Sequence, residues 1–173
     1  MNYSNLSYKS ARLDLSRRDI QSLKEISLAE SVTNLNLCFN ENLRSIKHLN
    51  AHDLFILNLS WCNIQSLEGM QLFKELKTFY LMGNKELKSI KGINAPNVVV
   101  LNLSSCDIQS FEGTETFDKL QVLKLRGNEH LTSLEHLDAP NLVYLYIDRD
   151  VSIDYDKFPS LRFINGIEVD WIF

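Results

Sequence analysis

A spaced pair of apolar residues that returns every 22 residues constrains this chain more than any other feature. Its first member is Leu13, Leu35, Leu57, Phe79, Leu101, Leu123 and Leu145, and its second, two residues on, is Leu15, Leu37, Leu59, Leu81, Leu103, Leu125 and Ile147. A third apolar position precedes the pair by three residues at Val32, Leu54, Leu76, Val98, Leu120 and Leu142, and only the first coil fails there, with Ser10. Apolar residues two apart mark one face of a strand. One such coil has too little surface to bury that face alone, so successive coils must stack and cover one another. The spacing therefore predicts one elongated solenoid with a continuous parallel sheet, and the 45% hydrophobic content supplies its core.

The unit of repetition is a pair of coils. Residues 54–97 and 98–141 are identical at 20 of 44 positions. Odd coils read Cys62-Asn-Ile-Gln-Ser-Leu-Glu-Gly69 and Cys106-Asp-Ile-Gln-Ser-Phe-Glu-Gly113; even coils read Gly83-Asn-Lys-Glu-Leu-Lys-Ser-Ile90 and Gly127-Asn-Glu-His-Leu-Thr-Ser-Leu134. The position after the strand alternates between Asn40, Asn84 and Asn128 and Cys62 and Cys106. An inward Asn amide both donates to and accepts from free backbone groups, and Cys is a small, mostly apolar substitute. On the coil backs, Phe73 with Leu76 and Phe117 with Leu120 have the spacing of a short helical turn. Asn94-Ala-Pro-Asn97 and Asp138-Ala-Pro-Asn141 predict a non-helical bend instead.

The frame L-x-x-L-x-L-x-x-N/C-x-L is the leucine-rich repeat signature, and Val32-Thr-Asn-Leu35-Asn-Leu37-Cys-Phe-Asn40 and Leu120-Gln-Val-Leu123-Lys-Leu125-Arg-Gly-Asn128 fit it. The chain thus resembles the leucine-rich repeat proteins. Its coil length and its tail, Phe158 to Val169, where Leu161 follows Leu142 by 19 residues, resemble the SDS22-like and U2 snRNP A-prime-like class with a C-terminal cap. The resemblance implies an α/β solenoid, a curved right-handed superhelix with one parallel sheet on the concave face and short helical or turn segments on the convex face. It implies a single domain over 1–173, with an N-terminal cap at 1–10, about seven repeats at 11–150 and a C-terminal cap at 151–173.

Several functions are disfavoured. A net charge of −4 argues against a general nucleic-acid or anionic-membrane binder. The start, Met1 to Ser10, has neither an apolar run nor a basic lead, so an intracellular protein, cytoplasmic or nuclear, is expected. Cys62 and Cys106, two coils apart, lie roughly 10 Å from each other on strand spacing and are expected to be reduced. Sequons at Asn2, Asn5, Asn58 and Asn102 carry no weight without a signal peptide. Asp148, Asp150, Asp154 and Asp156 lack the Gly and terminal Glu of a calcium loop. His48, His52, His130 and His136 fit no metalloprotease motif. With no phosphate loop, nucleophile elbow or carboxylate pair, an enzyme is not expected, nor any cofactor, metal or small-molecule substrate.

What remains is a surface. Residues between the inward leucines face out along the sheet. Large apolar and amphipathic side chains on a face that should be wet mark a protein-binding site. The candidate residues are Asn36, Phe39, Ile56, Asn58, Trp61, Tyr80, Met82, Asn102, Lys124, Arg126, Tyr144 and Tyr146. The expectation is a non-enzymatic adaptor, a fixed subunit of a larger assembly, that docks a protein partner there. Two alternatives stay open: a structural subunit of a spliceosomal or ribosomal ribonucleoprotein, with Arg and Lys at the rims on RNA, and a regulatory subunit of a phosphatase or other enzyme.

Overall fold

The computed structural model describes residues 11–24, 26 and 28–169. Seven three-residue strands follow one another: β1 (Arg12–Asp14), β2 (Asn34–Asn36), β3 (Ile56–Asn58), β4 (Thr78–Tyr80), β5 (Val100–Asn102), β6 (Val122–Lys124) and β7 (Tyr144–Tyr146). All seven pair in parallel, each with the next, in the register that the spacing predicts: Leu13 opposite Leu35, Leu35 opposite Leu57, and so on to Leu145. The chain is a solenoid with almost no helix. Both apolar residues of every pair are buried, and they join one continuous core that runs the length of the sheet.

Four of the seven strands end on a local side-chain turn. Oδ1 of Asp14, Asn36, Asn58 and Asn102 accepts the backbone N–H two residues on, at 2.9 to 3.2 Å. Such a local side-chain turn competes with further extension. A left-handed residue then swings the chain off the sheet: Arg17, Phe39, Trp61, Gly83, Ser105 and Gly127 have φ between +55° and +79°.

On the back of each coil a serine hydroxyl takes the N–H two residues on, at Ser45, Ser66, Ser89, Ser110 and Ser133. These serines step by 21, 23, 21 and 23 residues although the strands step by 22. Even coils need one residue more before that corner because they insert an extra turn, closed by Leu43 N–H on Asn40 O, Leu87 on Asn84 and Leu131 on Asn128. Odd coils use it after the corner. The pair is thus a structural unit as well as a sequence one.

The expected contrast between helical and non-helical backs does not hold. Both coil types close with one turn of the same hydrogen-bond pattern, Leu76 N–H on Phe73 O and Leu120 on Phe117 in odd coils, Val98 on Ala95 and Leu142 on Ala139 in even ones. A single i to i+3 bond is a β-turn, and Pro96 and Pro140 occupy its second position, where a fixed φ is favourable. The difference lies in volume: Phe73, Ala95, Phe117 and Ala139, all buried, fill successive corners large, small, large, small. Interdigitation of this kind keeps the core dense.

Asn40, Asn84 and Asn128 are buried and fully used. Each Nδ2 donates to a leucine carbonyl of its own coil at 2.6 Å and to one of the preceding coil at 3.0 Å. Each Oδ1 accepts an isoleucine N–H of the preceding coil, Ile20, Ile64 or Ile108, at 2.8 to 2.9 Å. Cys62 and Cys106 donate Sγ–H to Leu37 O and Leu81 O at 3.3 and 3.2 Å, carbonyls that Asn40 and Asn84 already serve.

Past β7 the 19-residue step yields β8 (Phe163–Ile164), still parallel, with Leu145 opposite Ile164. Asn165 and Gly166, at φ +56° and +83°, then reverse the chain into an antiparallel β9 (Ile167–Glu168). Two consecutive left-handed residues make the hairpin turn that Asn-Gly favours. The expected N-terminal cap, residues 1–10, lies outside the described residues, as do residues 170–173. Among the described residues no helix is long and apolar enough to cross a membrane.

Candidate binding face

Strand register arranges the outward residues in rows. Ile56 stands between Asn34 and Thr78; Asn36, Asn58, Tyr80, Asn102, Lys124 and Tyr146 form the central row, and Tyr144 ends the first. Met82 and Arg126 follow Tyr80 and Lys124 by two, in the third row. From β2 to β5 this face carries no charged side chain. Most of its residues are half-buried, with Phe39 and Tyr144 more open at 36% and 39% exposure. The central asparagines are half committed: Oδ1 of Asn36, Asn58 and Asn102 ends its own strand, and Asn36 Nδ2 donates to Asp14 Oδ1 at 3.1 Å. Nδ2 of Asn58 and Asn102 has no partner among the described residues and is open to an acceptor.

Beside the sheet, the left-handed positions stack into a column. The Arg17 guanidinium lies 4.3 Å from the Phe39 ring centre. Phe39 and Trp61 are parallel within 4°, centroids 6.3 Å apart. The Trp61 indole covers Gly83 so closely that a Cβ there would sit 2.5 Å from the ring. Trp61 therefore rests on the next coil, not on its own loop.

The residue choice is costly. The first six coils place a left-handed residue here, and Gly83 and Gly127 adopt it freely, whereas each L side chain costs about 1 to 2 kcal/mol. For Arg17, Phe39 and Trp61 that totals about 3 to 6 kcal/mol. An exposed cation–π contact and one aromatic pair return about 1 to 2.5 kcal/mol. Ser105 takes the same conformation without a ring, so the strain belongs to the coil corner, and what sets the first three coils apart is the stacked planar side chain.

At the far end, Lys124 Nζ lies 5.3 Å over the Tyr146 ring, and Tyr144 stacks on Phe163 at 4.9 Å and 8°. Arg126 Nε donates to Asn165 Oδ1 at 2.9 Å, and the same amide holds the N–H and C=O of Ile147. The hairpin thus fixes the side chains at this end. The twelve candidate residues fall into two groups, an aromatic one over β2 to β4 and a basic-aromatic one over β6 to β8, with Asn102 between them.

No family model matches this chain. No curated protein matches it at a significant level either.

Several of the other polar groups have local partners or are buried. Burial pushes the thiols of Cys62 and Cys106 up to about 11, which leaves them protonated and unreactive at neutral pH. The Asp148 carboxylate accepts Gly127 N–H at 2.7 Å, and Asp154 caps the short 3-10 turn Tyr155–Lys157. His130 Nδ1 meets Asp107 Oδ1 at 2.6 Å, a contact that holds the Asp107 carboxyl below its usual range. Among the described residues no His, Cys, Asp and Glu cluster could hold a metal ion.

Four residues outside the candidate set matter to this face: Arg17, Gly83, Phe163 and Asn165. The first two were within reach of the sequence, since they stand one coil before Phe39 and one after Trp61. Phe163 and Asn165 were not, because the 19-residue step breaks the frame that would have aligned them.

Proposed function

We propose that the chain is a leucine-rich repeat protein of the SDS22-like class, a curved right-handed superhelix whose sheet lines the concave side, and that it serves as a non-enzymatic adaptor. It docks a protein partner on that face as a fixed subunit of a larger assembly inside the cell. The observation that supports this reading is the uncharged stretch from β2 to β5, flanked by the Phe39–Trp61 stack, on a chain that is 23% charged. Aromatic and Met side chains with charge excluded from the centre are what protein interfaces concentrate. Tyr80, Met82 and Trp61 act as anchors, with the open amide N–H of Asn58 and Asn102 as hydrogen-bond donors.

Affinity purification from the native source, with and without nuclease treatment, tests the reading. A protein partner retained after nuclease, and lost on Trp61→Ala or Tyr80→Ala, is the expected result. Leu59→Ala should instead destabilise the fold by about 2 to 5 kcal/mol. An association that dissolves with RNA, or a Trp61→Ala variant that unfolds as readily as Leu59→Ala, rejects it.

A further inference from the structure

The charge on this face is distributed unevenly. Arg12, Asp14, Arg17 and Arg18 stand at the first coil, and the sheet face is then neutral through β5. Arg18 lies close enough to Asp14 to help lower its carboxyl, the larger causes being the hydrogen bonds from Ser16. Arg17 is different. It is exposed, its guanidinium lies on the Phe39 ring, and among the described residues no carboxylate comes within ion-pair distance of it. The ring holds the guanidinium beside the sheet, and a guanidinium without an ion-pair partner can receive a carboxylate through two hydrogen bonds. Beyond it the column continues apolar, as Phe39 and then Trp61, which ends on Gly83.

Building on the protein-docking reading above, we propose that the face takes an extended peptide segment with an acidic residue at one end and an aromatic or large aliphatic residue about four positions away. The acidic side chain pairs with Arg17, and the apolar one packs beside Trp61 and Tyr80. The spacing follows from the fold: β1 and β4 are three strand steps apart, about 14 Å, the reach of about four extended residues. Charge complementarity separates this ligand from a nucleic acid. A phosphate backbone is charged at every step and needs Lys and Arg along its whole path, whereas the path here is neutral after its first coil. A peptide with one charged end and an apolar remainder matches that profile.

Selection of a random 12-residue peptide display library on the immobilised full chain tests the proposal, followed by fluorescence anisotropy of the synthetic peptides recovered. Expected are sequences with Asp or Glu three to five residues from Trp, Phe, Leu or Met. Their affinity should fall tenfold or more on Arg17→Glu, less on Arg17→Lys, and be restored to Arg17→Glu when the acidic residue of the peptide is replaced by Lys. Circular dichroism melts confirm that the variants fold. Peptides that depend on Tyr80 yet bind Arg17→Glu unchanged overturn this inference while leaving the docking reading intact. Absence of enrichment over an unrelated protein overturns both. So does Arg17-dependent binding of a single-stranded RNA oligonucleotide tighter than that of any selected peptide.

Discussion

The Leu81 carbonyl sits at the junction of two coils and receives two hydrogen atoms, one from Asn84 Nδ2 at 2.6 Å and one from Cys106 Sγ at 3.2 Å. That sharing predicts a specific failure of additivity. In Asn84→Ala the buried Ile64 N–H and Leu59 C=O lose the amide that served them, while Leu81 C=O keeps the thiol. Each buried group left unpaired costs about 1 to 3 kcal/mol, so this variant should lose about 2 to 6 kcal/mol. In Cys106→Ala the same carbonyl keeps the amide, and the loss is confined to the smaller volume and one weak donor, about 1 kcal/mol. Only the double variant leaves Leu81 C=O with neither. Its loss should exceed the sum of the two single losses by about 1 to 2 kcal/mol, from urea unfolding in reducing buffer followed by circular dichroism. Additivity within about 0.5 kcal/mol would show that the thiol does not hold that carbonyl, and that the Asn–Cys alternation is packing alone.

Gly83→Ala should cost more than Gly69→Ala, although both glycines are left-handed, because its methyl would strike the Trp61 indole at 2.5 Å where that of Gly69 meets the Lys47 stem at 3.6 Å. In a Trp171→Phe background, Trp61 emission should shift with Gly83→Ala and not with Gly69→Ala; equal shifts would mean that the indole does not lie on Gly83. Alkylation at pH 8 should label half-buried Cys38 in the native protein and spare Cys62 and Cys106, whose thiols burial raises to about 11, until denaturant is added. Carbon-13 NMR should find the Asp107 carboxyl titrating below 3.8, chiefly through its hydrogen bond with His130, and His130→Ala should move it back toward that value. Because the folded value is lowered, whatever stability this contact adds is present above the unfolded value and is lost as pH falls through the folded one; an unmoved Asp107 in His130→Ala would assign the shift elsewhere.

The sheet and its register were readable because a period-two signal at a fixed 22-residue step has one stacking solution. A slip by one residue would turn every leucine outward. The backs were less readable. Phe-Lys-Glu-Leu and Ala-Pro-Asn-Val differ in helix propensity, yet they form the same turn because the neighbouring coils fix the ends of both. The hairpin was signalled by Asn165-Gly166, a strong turn pair that the 22-residue frame hid by ending before it. On the candidate face, alternation alone indicates which residues face out. Which of them touch one another depends on backbone handedness, and left-handed Arg17, Phe39 and Trp61 belong to residue types that seldom adopt it.

The alternation of large and small corners, with Asn and Cys alternating behind them, sets how such a chain can lengthen. A single added coil would bring two like coils together, Phe against Phe or Ala against Ala, and would leave one amide or thiol facing a neighbour built for the other. Two coils added together meet no such conflict: after Asn97 the chain continues with Val98, which occupies the place of Leu54, so a second copy of 54–97 would join in frame. Growth by tandem duplication is therefore quantised at 44 residues, and a longer array for engineering should be built by repeating that segment between the existing ends.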